Sequence, residues 1–166
     1  MNDLAADVKL ARQGSAEAFA RLYSAVYKDM YHIALCSLRS SHDASDAVSE
    51  AVLDAFCTIG KLRDAESFRG WILKILSAKI KRRQRDYFDV PEDIDGTELS
   101  SGDFDFMSVE LREAVGRLSG EERLLLSMSA LGGYSSTEIS KICGVKASTV
   151  RSRLDAIKDR LRTELT

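Results

Sequence analysis

The chain has 166 residues, with 24 Lys and Arg against 26 Asp and Glu. That length allows one domain or two small ones, and the formal net charge of −2 excludes a protein that coats nucleic acid indiscriminately, so any nucleic-acid contact must come from local patches. A single proline and abundant Ala, Leu, Ser, Arg and Glu predict a helical protein, and the absence of CxxC, with Cys36, Cys57 and Cys143 scattered and His32 and His42 apart from them, excludes a zinc site and a disulfide framework.

No cofactor or metal is expected, and the cysteines read as small buried hydrophobes in a reducing cytoplasm. The opening MNDLAADVKLARQG carries acids and no apolar core of signal-peptide length, and no later run approaches a membrane span. The expectation is a soluble, cytoplasmic protein without membrane insertion.

In chain order, Leu4, Val8 and Ala11 make a short amphipathic stretch ending at Gly14, and Ser15 then caps a longer helix with Glu17 in its first turn. Phe19, Leu22, Val26, Met30 and Ile33 recur there at helical spacing, joined by Tyr23, Tyr27 and Ala34, out to about Arg39, and read as core. Ser41 to Asp43 reads as a turn and N-cap before DASDAVSEAVLDAF. In that helix Ala44, Ala47, Val48, Ala51, Val52, Ala55 and Phe56 form an inward face, and Asp46, Ser49, Glu50 and Asp54 point elsewhere. Gly60 breaks the pattern.

The next helix, Phe68 to Arg85, sets Phe68, Trp71, Ile72, Ile75 and Leu76 on its apolar side and carries seven positive charges and no acid: Arg69, Lys74, Lys79, Lys81, Arg82, Arg83 and Arg85. Unrelieved like charge on one helix costs self-repulsion that surfaces usually avoid by mixing signs, so a polyanion partner is expected. From Asp86 to Asp105 the composition flips to eight acids without a base, alongside Pro91, Gly96 and Gly102, which predicts a linker over residues 87–106. It would hold two positive faces apart.

Beyond it a second helical unit starts, with Val109 or Leu111, Val115 and Leu118 inward. Ser119 with Glu122 is a capping box opening a helix through Leu124, Leu125, Leu126, Met128 and Leu131. Ser135 with Glu138 is another, starting a short helix to about Cys143, and Gly144 stands where the chain must turn. Val150, Leu154, Ile157 and Leu161, spaced 4, 3 and 4, define the buried stripe of a last helix. Lys146, Ser148, Thr149, Arg151, Ser152 and Arg153 fall mostly off that stripe at its N-terminal end, where a helix-turn-helix presents side chains to a major groove. The reading is all-α: an N-terminal helical domain over 1–86, the acidic linker, and a helix-turn-helix domain over 107–166.

Together these segments resemble a bacterial sigma factor of the extracytoplasmic-function (ECF) group. DASDAVSEAVLDAF resembles the helix that docks on the clamp helices of RNA polymerase. FRGWILKI followed by KRR resembles the promoter-melting helix, and LSGEERLLLSMSALGGYSSTEISKICGVKASTVRSRLDAIKDRLR the domain that binds the upstream promoter element. The resemblance implies that Asp43, Asp46 and Glu50 meet the β′ clamp helices of the polymerase core, that the basic helix melts and reads the −10 element, and that Thr149, Arg151 and Arg153 contact the −35 element. Phe68 and Trp71 either pack or meet bases, and packing is the expected role. It also implies an anti-sigma partner. The chain departs from the family at Ala78, where Asn is common, at Arg82 and Arg83, and at Lys146, where a capping Ser is frequent.

A sigma-like decoy that binds an anti-sigma factor without directing transcription shares this architecture. Retention of Arg151 and Arg153 favours the sigma factor. A plain helix-turn-helix repressor leaves the N-terminal basic helix unexplained, and no grouping of nucleophile, base and orienter supports an enzyme.

Overall fold

The computed structural model describes residues 4–86 and 108–165, and the predicted linker at 87–106 lies outside them. Among the described residues every regular element is helical. The N-terminal half consists of α1 (Leu4–Arg12), α2 (Ala16–Leu38), α3 (Ser41–Thr58) and α4 (Phe68–Asp86), with two short 3-10 turns between α3 and α4. The C-terminal half consists of α5 (Val109–Gly116), α6 (Gly120–Ala130), α7 (Ser136–Cys143) and α8 (Ala147–Leu165).

Caps set the helix ends. Ser15 Oγ accepts from the Ala18 N–H at 3.1 Å, as its position predicts. The cap of α3 is Ser40, one residue before the predicted turn, with its Oγ accepting from the Asp43 N–H at 3.2 Å. Because Ser40 does the capping, the Asp43 carboxylate is released for other contacts. On α2, Phe19, Leu22, Val26, Met30, Ile33 and Ala34 are buried as predicted, Tyr23 is half-buried, and Tyr27, expected in the core, is 43% exposed. On α3 the inward face is narrower than predicted: Ala44, Ala47, Val48, Ala51 and Ala55 are buried, Val52 is half-buried and Phe56 is 50% exposed. The small residues let α3 lie close between α2 and α4, which leaves bulky Phe56 at the rim, edge-on to Phe19 at 5.1 Å.

On α4, Phe68, Ile72 and Leu76 are buried as the spacing predicts, and so are Leu73, Ser77 and Ile80, whereas Trp71 and Ile75 are half-buried. The extra burial comes from a second neighbour: α7 lies on α4 and α6 lies on α2. One apolar cluster therefore runs through both halves, joining Leu22, Leu35 and Leu76 to Leu124, Met128, Ile139 and Ile142. In a smaller cluster Cys36 of α2 meets Val115, Leu118, Leu126 and Ile157. The two halves, whose relative placement the sequence leaves open, are in contact. Cys36 and Cys143 are buried hydrophobes, but Cys57 is exposed, unlike the expectation for all three.

Candidate nucleic-acid interface

The turn between α7 and α8 is built from local chemistry. The Glu138 N–H donates to Ser135 Oγ at 3.2 Å and the Ser135 N–H donates to Glu138 Oε1 at 3.0 Å, closing the predicted capping box. Gly144 closes α7 in the left-handed region, φ 73°, with its N–H donating to the Ser140 carbonyl at 2.9 Å. An L side chain there would be strained, so glycine fixes the exit angle toward α8. Val150, Leu154 and Ile157 are buried and Leu161 is half-buried, which orients α8 on α5 and α6. The same orientation leaves Lys146, Ser148, Arg151, Ser152 and Arg153 exposed and Thr149 half-buried.

These residues are not equally available. Arg153 forms an ion pair with Glu121 of α6, whereas Arg151 makes no ion pair among the described residues. The platform beneath is fixed by the second capping box, in which Ser119 and Glu122 exchange hydrogen bonds of 2.8 and 3.1 Å, and Arg160 of α8 reaches Glu122 at 3.1 Å. The backbone N–H groups of Ser119 and Ser135 stabilise the charged carboxylates they meet and hold the Glu122 and Glu138 carboxyls below their ordinary values.

The basic helix α4 presents its charges differently. Lys74 and Arg82 are exposed, but Arg69 lies 4.0 Å from Asp29, Lys79 pairs with Asp54 at 2.7 Å, and the Lys81 ammonium donates to the Cys143 carbonyl. Arg83 turns toward α3, reaching Glu50 at 2.6 Å, Asp43 at 3.4 Å and Asp46 at 4.0 Å. The three acids singled out for the polymerase thus meet one of the arginines singled out for DNA. Burial works against the Arg83 charge, but the Glu50 hydrogen bond and the nearby carboxylates outweigh it and raise its pKa. Beside this network, Glu50, Leu53 and Asp54 of α3 and Lys79, Arg82 and Arg83 of α4 line a cleft of about 510 Å³.

Two apolar residues stand out on this face, Leu53, which the sequence pattern leaves unassigned, and Phe56, which it places inward. Leu53 is 63% exposed and Phe56 50% exposed, next to the acids of α3. The alanine spacing held the signal, since Ala44, Ala47, Ala51 and Ala55 already supply a complete helical stripe and leave Leu53 on the opposite side.

This all-helical arrangement, with a helix-turn-helix at one end and an acid-lined basic helix at the other, coincides with two family models. The model described as Sigma-70 region 2 matches residues 22–87, and that described as Sigma-70, region 4 matches residues 108–161. The chain belongs to the sigma-70 family of transcription initiation factors, which are not enzymes. Within the family it falls in the ECF group. It is 27% identical over 142 residues to RNA polymerase sigma factor SigV of Bacillus subtilis, covering 84% of this chain and 86% of that protein. To the ECF sigma factor SigW of the same organism it is 24% identical, covering 95% and 94%. The fold is also that of the sigma factor RpoE in complex with the anti-sigma factor NepR from Bartonella quintana, with a TM-score of 0.69 at 18% identity over 90% of this chain and 98% of that one.

Proposed function

We propose that this sigma factor directs promoter-specific initiation by core RNA polymerase through three faces. The N-terminal end of α8, with Lys146, Ser148, Thr149, Arg151, Ser152 and Arg153, reads the upstream element in the major groove. The basic side of α4, from Arg69 and Lys74 through Lys79, Lys81, Arg82 and Arg83, faces the DNA that opens, stabilising phosphates of the separating strands. The outer side of α3, with Asp43, Asp46 and Glu50 joined by Leu53 and Phe56, docks on the polymerase clamp helices.

The observation that carries this reading is Arg151, exposed with Lys146, Ser148, Ser152 and Arg153 on a helix within the match to Sigma-70, region 4 and anchored by a stripe that needs none of them. One good bidentate contact by such a residue is worth about 1–3 kcal/mol of base discrimination. Catalysis stays with the polymerase. The compartment is then the cytoplasm, where the polymerase works, and no helix among the described residues is long and apolar enough to cross a membrane. Complex formation by the RpoE relative with NepR supports an anti-sigma partner for this chain too.

Run-off transcription with purified core polymerase tests the proposal. Specific initiation that is lost in Arg151→Ala supports it. Arg83 being engaged with the acids of α3 leaves room for a second reading, a decoy that only sequesters an anti-sigma factor. Tight anti-sigma binding with no initiation from any promoter would establish the decoy and reject the proposal.

A further inference from the structure

The first turn of α6 carries two acids, Glu121 and Glu122, and the helix itself uses one of them. Glu122 closes the capping box with Ser119 and receives Arg160. The cap makes no use of Glu121. Its carboxylate instead accepts a hydrogen bond from Nη1 of Arg153, 32 residues later, on the helix that faces the major groove in the reading above.

An ion pair in so open a place adds little to stability, because water screens both charges: Arg153 is 44% exposed and Glu121 52%. The pair also sets a carboxylate beside a face proposed to meet a polyanion, where like charge works against binding. Neither the fold nor simple attraction to phosphate accounts for it.

The chemistry of the guanidinium does. The group is planar and rigid, and its Nε and Nη2 form an edge with two parallel donors. The bond to Glu121 occupies Nη1, and the guanidinium makes no other hydrogen bond among the described residues. The Nε–Nη2 edge therefore stays open on a side chain that is already held in place. Two parallel donors match O6 and N7 of guanine, and no other base presents such a pair of acceptors in the major groove. Arg151 supplies the contrast. Two residues along a helix turn through roughly 200°, so Arg151 and Arg153 stand on opposite flanks of α8 with Ser152 between them. Of the two arginines, only Arg153 has an anchor.

We propose that Glu121 is a positioning residue for promoter recognition: it holds Arg153 so that the Nε–Nη2 edge reads one guanine of the upstream element, and thereby sets the base preference at that position. Glu121 itself touches no base. Holding a long side chain in advance reduces the entropy lost when it meets DNA, and it withholds the other rotamers through which a wrong base could be accepted. This role rests on the reading of α8 as the promoter-reading helix.

Transcription by the holoenzyme from a promoter library randomised over the upstream element, followed by sequencing of the transcripts, measures the preference at every position at once. The wild type is expected to favour guanine at the position that loses its preference in Arg153→Ala. Glu121→Ala is expected to lower that one preference roughly tenfold, within the range of one bidentate contact, and to leave the positions that respond to Arg151→Ala unchanged. In the Arg153→Ala background, Glu121→Ala should add nothing. An unaltered guanine preference in Glu121→Ala rejects the role, and so does a base other than guanine at that position. An equal loss in the Arg153→Ala background rejects it too, as does a loss spread over all positions, which a loosened fold would give. If neither Arg151→Ala nor Arg153→Ala changes any preference, the promoter reading of α8 fails and the role of Glu121 falls with it. If Arg151→Ala changes one and Glu121→Ala changes none, the role of Glu121 alone is rejected.

Discussion

The basic ends of α8 and α4 use the same residue types and differ in what surrounds them. On α8 the charges stand on an outer face, and Arg151 makes no ion pair among the described residues. On α4, Lys79, Lys81 and Arg83 are committed to Asp54, to the Cys143 carbonyl and to the acids of α3. Positive charge in a sequence therefore does not measure what a helix can offer to DNA. Arg151 on α8 is ready as it stands, whereas Lys79, Lys81 and Arg83 on α4 must first give up their partners, so the free protein is expected to bind a promoter weakly and the holoenzyme firmly.

The sharpest way to break this contrast is Arg151→Ala. Initiation from a cognate promoter by the holoenzyme is expected to fall roughly 5- to 150-fold, equivalent to about 1–3 kcal/mol, with no change in melting temperature. Arg83→Ala should behave in the opposite way. It removes the cation shared by Glu50, Asp43 and Asp46, and a loss of about 1–2 kcal/mol, or a few degrees in melting temperature, is expected for this half-buried network. If Arg83→Ala melted like the wild type and altered only DNA contacts, the two helices would be alike after all.

The caps beneath the helix-turn-helix sharpen the comparison further. Ser135→Ala should destabilise the C-terminal half by about 1 kcal/mol in denaturant unfolding. Acid should act on the same groups. Because Glu122 and Glu138 are held below their ordinary 4.5 in the folded state, the unfolded chain binds more protons in that range. Their contribution is complete above the unfolded value of 4.5 and disappears as pH falls through the lower folded-state values. The melting temperature of the wild type should accordingly fall more steeply with pH through that range than that of Glu138→Gln.

The smallest expected effect is that of Arg82→Ala. As an exposed cation on α4 it should change stability by less than about 0.5 kcal/mol. It should also reduce the salt slope of promoter binding by the holoenzyme by about one.

Much of the C-terminal half was legible in the sequence because its determinants are local. Ser135, Glu138, Gly144 and the stripe from Val150 to Ile157 lie within one short stretch, and the structure uses each as its spacing predicts. The N-terminal half was legible only in part. The burial of Leu73, Ser77 and Ile80 reflects packing partners that include helices far along the chain, which no helical period reveals. Arg83 looked like one more surface cation because the acids that hold it lie 33 to 40 residues earlier. Phe56 looked inward on hydrophobicity alone, yet a face already filled by alanines had no space for it.

The three cysteines turn the contact between the halves into something that can be followed without any probe being engineered. Cys57 is open to solvent, while Cys36 and Cys143 sit where the halves meet, with their thiols held up by burial, that of Cys36 at about 11. A thiol-reactive dye should therefore modify one sulfur promptly. The other two would follow at the pace of local opening around them, so a stopwatch and an ordinary absorbance cell can time that event.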